Sequence, residues 1–138
     1  MFVSALIWGL VAGVIHFVVT GALYGNPIVD GIYQKAMKEE PGVRVWPSRA
    51  RYLITQVSGT QVEVWILAIA YLWLRPLIGV EGMLGTLLLG LFFSGIRVYP
   101  RFWNMWIQST YPRRMLAIEF VNGVISTYTI VLALHFLA

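Results

Sequence analysis

Four side chains could do chemistry inside an otherwise apolar chain: His16, Glu63, Arg97 and Glu119, with Asn122 one turn beyond the last. Two carboxylates and an imidazole can pass protons or hold a cation. A guanidinium among them would neutralise a carboxylate and set its protonation. His16, Glu63 and Glu119 are a conceivable metal set, but Arg97 in the same layer opposes a cation there, and no metal or other cofactor is expected. His135 falls near the end of the chain and reads as interfacial. There is no Gly-rich phosphate loop, HExxH, cysteine pair or nucleophile elbow.

The elements that must carry these residues are membrane spans. The chain has 138 residues, of which 59% are hydrophobic and 12% charged, against about 25% charged in ordinary soluble domains. Mean hydropathy is +0.74. A helix needs about 20 mainly apolar residues to cross the hydrocarbon core. Such runs fall at residues 2–23, 52–74, 83–108 and 115–137. The first has no basic segment ahead of it and runs longer than a signal-peptide core, so it is expected to stay as a span. The fold expected is all-α: one integral membrane four-helix bundle over residues 1–138, with a short amphipathic surface helix between the first and second spans.

That surface helix lies in the one long hydrophilic loop, 24–51. Asn26-Pro27 is a helix start, with Asn as cap and Pro at the first position. Ile28, Val29, Ile32, Tyr33, Ala36 and Met37 then recur at helical spacing. Pro41-Gly42 ends the helix, and Trp46 can anchor the return to the bilayer. The loop holds Lys35, Lys38, Arg44, Arg49 and Arg51, and the loop before the fourth span holds Arg113 and Arg114. The positive-inside rule puts these loops in the cytoplasm and both termini outside. The net charge of +4 therefore reads as orientation and not as nucleic-acid binding. Anionic lipid at the 24–51 loop is the expected electrostatic partner.

Each span carries one small-and-polar stripe at intervals of three or four. The stripes are Gly9, Gly13, His16 and Thr20; Gln56, Thr60 and Glu63; Thr86, Gly90, Ser94, Arg97, Arg101, Asn104 and Gln108; and Glu119, Asn122, Ser126 and Thr129. Small faces allow close approach, and polar faces find hydrogen bonds that lipid cannot give. At about 1.5 Å per residue, His16, Glu63, Arg97 and Glu119 fall at one depth. Arg97 is thus expected to pair with Glu63, Glu119 or both. Pro100 should kink the third span and free the carbonyl of Ile96, with Arg97 or Asn104 at hand. Trp8, Trp65, Trp73, Trp103 and Trp106 read as interface and lipid contacts.

Residues 20–37, TGALYGNPIVDGIYQKAM, and 112–137, PRRMLAIEFVNGVISTYTIVLALHFL, resemble a family of small four-span bacterial membrane proteins that share a conserved domain of unknown function. The matching positions are Gly21, Ala22, Leu23, Tyr24 and Pro27, then Pro112, Arg113, Arg114, Ile118, Asn122 and Gly123; the chain departs at Gly25-Asn26. The resemblance implies four spans and carries over no activity; a bacterial inner membrane is the expected location. The functions expected are an accessory or structural subunit of a larger membrane complex or a homo-oligomer, or else a small proton-coupled carrier using the Glu/Arg cluster. An enzyme on a lipid or quinone, resting on His16 and Glu63, ranks below both.

Overall fold

A computed structural model describes all 138 residues, and the chain is all-helical. The helices are α1 (Phe2–Gly25), α2 (Pro27–Glu39), α3 (Arg49–Leu74), α4 (Gly82–Arg97), α5 (Tyr99–Gln108) and α6 (Arg113–Leu137). Four stretches are long and apolar enough to cross a membrane: α1, α3, α6, and α4 with α5 as one 27-residue stretch. Loops 24–51 and 109–112 lie at one end of the bundle with most of the basic residues, here the basic end. Both termini and the 75–81 turn lie at the other, the terminal end.

Asn26 joins two helices. Its amide donates to the carbonyls of Leu23 (2.7 Å) and Ala22 (3.2 Å), closing α1, while its Oδ1 accepts from the Val29 amide at 3.0 Å, opening α2. One side chain thus meets orphan groups at both helix ends. At the terminal end Arg75 does similar work. It donates to the carbonyls of Val80 and Gly82, both at 2.6 Å, and so shapes the turn in which Gly79 and Gly82 take positive φ.

α1 meets α3 through small residues. Gly9 lies against Trp65 and Gly13 against Gln61, so closely that a Cβ at either would collide with the facing side chain. Gln61 and Trp65 use the gap to donate to the carbonyls of Gly9 (3.2 Å) and Leu6 (3.0 Å). Trp65 is therefore a helix–helix contact and not the lipid contact its type suggested. α6 is the central helix and packs on α1, α3, α4 and α5. Its Ile130, Val131 and Leu134 form the core with Ala12, Val64, Ala68 and Phe93. Elsewhere the surface is apolar, with Ile7, Val14, Leu84, Leu91 and Phe92 facing outward as lipid-facing residues do. α3 and α4 barely touch along their backbones and are joined instead by polar side chains.

The third span is not one helix. It breaks at Val98 (φ −99°, ψ −47°), with Pro100 in the first turn of α5. The break changes which face points inward. In α4 the expected stripe is buried at Thr86, Gly90 and Ser94, with Arg97 half-buried. In α5 its continuation Arg101, Asn104 and Gln108 is exposed, and Phe102, Met105 and Trp106 turn inward. The reason is geometric, since a helix that restarts after a break does not keep its phase. Phe102 takes the inner place by packing on Phe120 of α6, ring centroids 5.0 Å apart.

Candidate functional site

Arg97 ends α4 and turns into the gap between α3 and α6. Its Nε donates to Glu63 Oε1 at 2.5 Å and its Nη2 to Glu63 Oε2 at 3.2 Å, a two-pronged pair. Its Nη1 donates to Ser126 Oγ and Thr127 Oγ1, both at 2.9 Å. Those hydroxyls donate their own protons to the carbonyl of Gly123, at 3.1 and 2.8 Å. Their lone pairs are thus fixed toward the guanidinium. The Arg97 side chain is 15% exposed and Glu63 41%, so the arginine is enclosed while its carboxylate reaches the surface. His16, buried on α1, lies within electrostatic reach of both, and its Nε2 has no hydrogen-bond partner.

The Ile96 carbonyl does not receive the help expected of Arg97 or Asn104. The Arg97 guanidinium is committed to α3 and α6, and Asn104 is exposed. Pro100 is exposed as well, on the outer side of the break.

Glu119 is not in the Arg97 layer. It accepts from the Tyr111 hydroxyl at 3.1 Å, and its Oε2 lies 3.6 Å from Arg101, a loose ion pair beyond hydrogen-bond length. The separation is one of depth: Arg97 stands 12 residues before the 109–112 turn and Glu119 only 7 after it, a difference of about 7.5 Å along the helices, so Arg101 reaches Glu119 while Arg97 stays with Glu63. Tyrosines from separate elements enclose this second centre. Tyr24 of α1 meets Tyr33 of α2 edge to face at 5.8 Å, and Tyr111 comes from the loop before α6. Burial pushes the Tyr33 and Tyr111 phenols well above their ordinary range, and the nearby Glu119 carboxylate pushes them the same way. Tyr33 Oη, Glu119 Oε2 and Asn122 Nδ2 are buried with no hydrogen-bond partner. Sequence reading missed this tyrosine cluster, for no periodicity links three residues on three elements.

A third polar contact lies at the terminal end. The Tyr71 hydroxyl and Thr86 Oγ1 are 2.8 Å apart, and Thr86 Oγ1 is 2.8 Å from His135 Nδ1. His135 therefore ties α6 to α3 and α4. A signal for it existed: Gly123, Thr127, Val131 and His135 recur every fourth residue, a second stripe beside the one first read.

No family model, curated protein or solved structure matches the chain.

What the site can do follows from its own geometry. The Arg97 centre is a fixed neutral pair with few free valences, suited to locking helices in register. Beside it the basic-end half of α3 is bare. Every residue from 49 to 59 is exposed, including Thr55, Gln56 and Ser58. An open pocket of about 240 Å³ lies against this stretch, lined by Trp46, Tyr52, Gln56, Gly59, Thr60 and Glu63. Trp46 is held there by Tyr52, edge to face at 5.6 Å, and by Arg44 over its ring at 4.5 Å. The groove thus runs from the basic end to the outer face of Glu63.

Proposed function

We propose that this protein is a structural or accessory subunit of a membrane assembly, either a larger complex or a homo-oligomer. The observation that carries the reading is the bare half of α3. Gln56, bonded only at a long 3.3 Å to Thr60, and the half-open Glu63 face outward on a helix that crosses the bilayer, where lipid tails offer no hydrogen bonds. A protein neighbour in the membrane would supply them. Arg97 fits the same reading, since its charge is met inside the bundle and serves as scaffold. The positive-inside rule supports cytoplasmic basic loops and outside termini. The resemblance of residues 20–37 and 112–137 to small bacterial four-span proteins supports a bacterial inner membrane. The basic loop suits anionic headgroups. The test is extraction from native membrane in mild detergent through a C-terminal tag. A stoichiometric assembly is the expected result, and a lone monomer in every detergent and in lipid discs would sink the reading.

One observation favours a second reading, a small proton-coupled carrier. Glu63 borders the open pocket and is reachable from it, so it could take and release a proton opposite Arg97. In vesicles holding the pure protein, Glu63→Gln should then abolish solute flux by the fraction that circular dichroism shows to be folded. Equal flux by both forms would exclude this reading.

A further inference from the structure

We infer that the bare half of α3 is a self-association face whose occupant is α3 of a second copy of this chain. The inference rests on the subunit reading above and names its partner.

The groups left over on this face complement themselves. Thr55 is satisfied by its own helix, donating to the Arg51 carbonyl at 2.9 Å. The Gln56 amide donates only to Thr60 Oγ1, at a long 3.3 Å. That leaves the Gln56 carbonyl as an acceptor, and a second Gln56 amide proton and the Thr60 hydroxyl proton as donors. A surface that holds both kinds in one short stretch can pair with its own copy. A two-fold axis along the membrane normal keeps each residue at its own depth. Gln56 then faces Gln56 and Thr60 faces Thr60, with donor and acceptor exchanged. Paired polar side chains of this kind hydrogen-bond across helices in lipid.

Shape and charge agree. Gly59 sits between Gln56 and Glu63 with no atom within 4 Å of where its Cβ would be, so two backbones can approach closely there. The only charged group on the face within the membrane is Glu63, and Arg97 already neutralises it. Two copies therefore meet without repulsion at mid-depth. Arg49 and Arg51 lie at the aqueous end, where salt screens like charges over roughly 8–10 Å.

The chain has no cysteine, which makes single-cysteine cross-linking clean. Gly59→Cys and Gln56→Cys, oxidised in native membranes, should give a product of twice the chain mass. Ile125→Cys, exposed on α6, should not. A Gly59 or Gln56 product with a different protein would overturn the second copy while leaving the subunit reading intact. No product at either position, with a monomer on purification, would overturn both. Gly59→Leu supplies the independent check. It has open space in the single chain, so thermal unfolding of the monomer should be unchanged. Self-association measured by energy transfer in lipid should weaken by about tenfold, equivalent to about 1.4 kcal/mol. Unchanged association in Gly59→Leu would show that copies meet elsewhere and would overturn the inference.

Discussion

Arg97 and Arg101 are one helical turn apart and each faces a glutamate, yet their pairs are built differently. Arg97 makes two hydrogen bonds to Glu63 and two more to Ser126 and Thr127. Arg101 makes none to Glu119, lies 3.6 Å away, and is 57% exposed. The difference follows depth. In mid-membrane a guanidinium has no water, so the protein must meet its donors. Near the basic end the aqueous interface meets them, and the protein can leave the pair slack. Unpaired buried atoms lie beside both centres, Tyr33 Oη and Asn122 Nδ2 near the slack one and His16 Nε2 near the deep one. How fully the guanidinium is bonded thus separates the pair that holds the bundle from the pair at its rim.

The largest effect should come from cutting the deep pair on one side. Arg97→Ala leaves Glu63 facing a gap with no counter-charge and should destabilise the bundle by about 3–5 kcal/mol. Denaturant titration in mixed micelles measures it. Removing both charges together, Arg97→Leu with Glu63→Leu, should recover most of that loss, because the cost lies in the unpaired partner. A double variant as unstable as Arg97→Ala would mean that Arg97 acts chiefly through α6, and the coupling energy from the full cycle would then be near zero.

The α6 side of the same centre comes next. Ser126→Ala with Thr127→Val removes both acceptors from Arg97 Nη1 but keeps the Glu63 pair. The cost should be about 1–3 kcal/mol, that of buried donors left unmet. A loss equal to that of Arg97→Ala would mean that the hydroxyls, and not Glu63, carry the centre.

Much of this contrast was legible in the sequence, and the parts that were not have separate causes. Long apolar runs gave the spans, and Asn26-Pro27 gave α2. The depth of Glu63 and Arg97, counted along straight helices, put them level, as the structure does. The same count put Glu119 level too, by placing the turn loosely: Glu119 stands only 7 residues past residues 109–112 and Arg97 12 before them, about 7.5 Å apart in depth. The polar period continues through the break in the sequence, at Arg97, Arg101 and Asn104, so nothing in the period revealed the change of face. Pro100 was the warning, read as a bend when it marked a restart. Gln61, Trp65 and Tyr33 were invisible for another reason. Their partners are backbone carbonyls or residues on distant elements, which leave no pattern along the chain.

A smaller effect should come from the rim pair. Arg101→Ala should change stability by less than about 1 kcal/mol, since more than half of the side chain is exposed and water replaces it. Added salt should leave the Arg97 pair untouched and erase what little Arg101 contributes. A loss of 3 kcal/mol or more, on the scale of a deep pair, would erase the distinction between the two centres.

The smallest effect at neutral pH, and the most specific, concerns Tyr33. Burial and Glu119 raise its phenol above the ordinary value, which is about 10. A phenol of raised pKa contributes stability that is whole below about pH 10 and is lost as pH climbs past that value, because the undocked tyrosine ionises first. α2, which carries Tyr33 against Tyr24, should therefore loosen progressively as pH rises above about 10, while the Arg97 centre, which has no tyrosine, holds. Protease cleavage within residues 39–48 of detergent-held protein reads this directly. Tyr33→Phe removes an unpartnered hydroxyl, so it should cost almost nothing near pH 7 and should flatten the alkaline rise in cleavage. Tyr111, raised by the same causes, would keep part of that rise. An unchanged alkaline profile in Tyr33→Phe would place the sensitivity elsewhere and remove Tyr33 from the forces that dock α2.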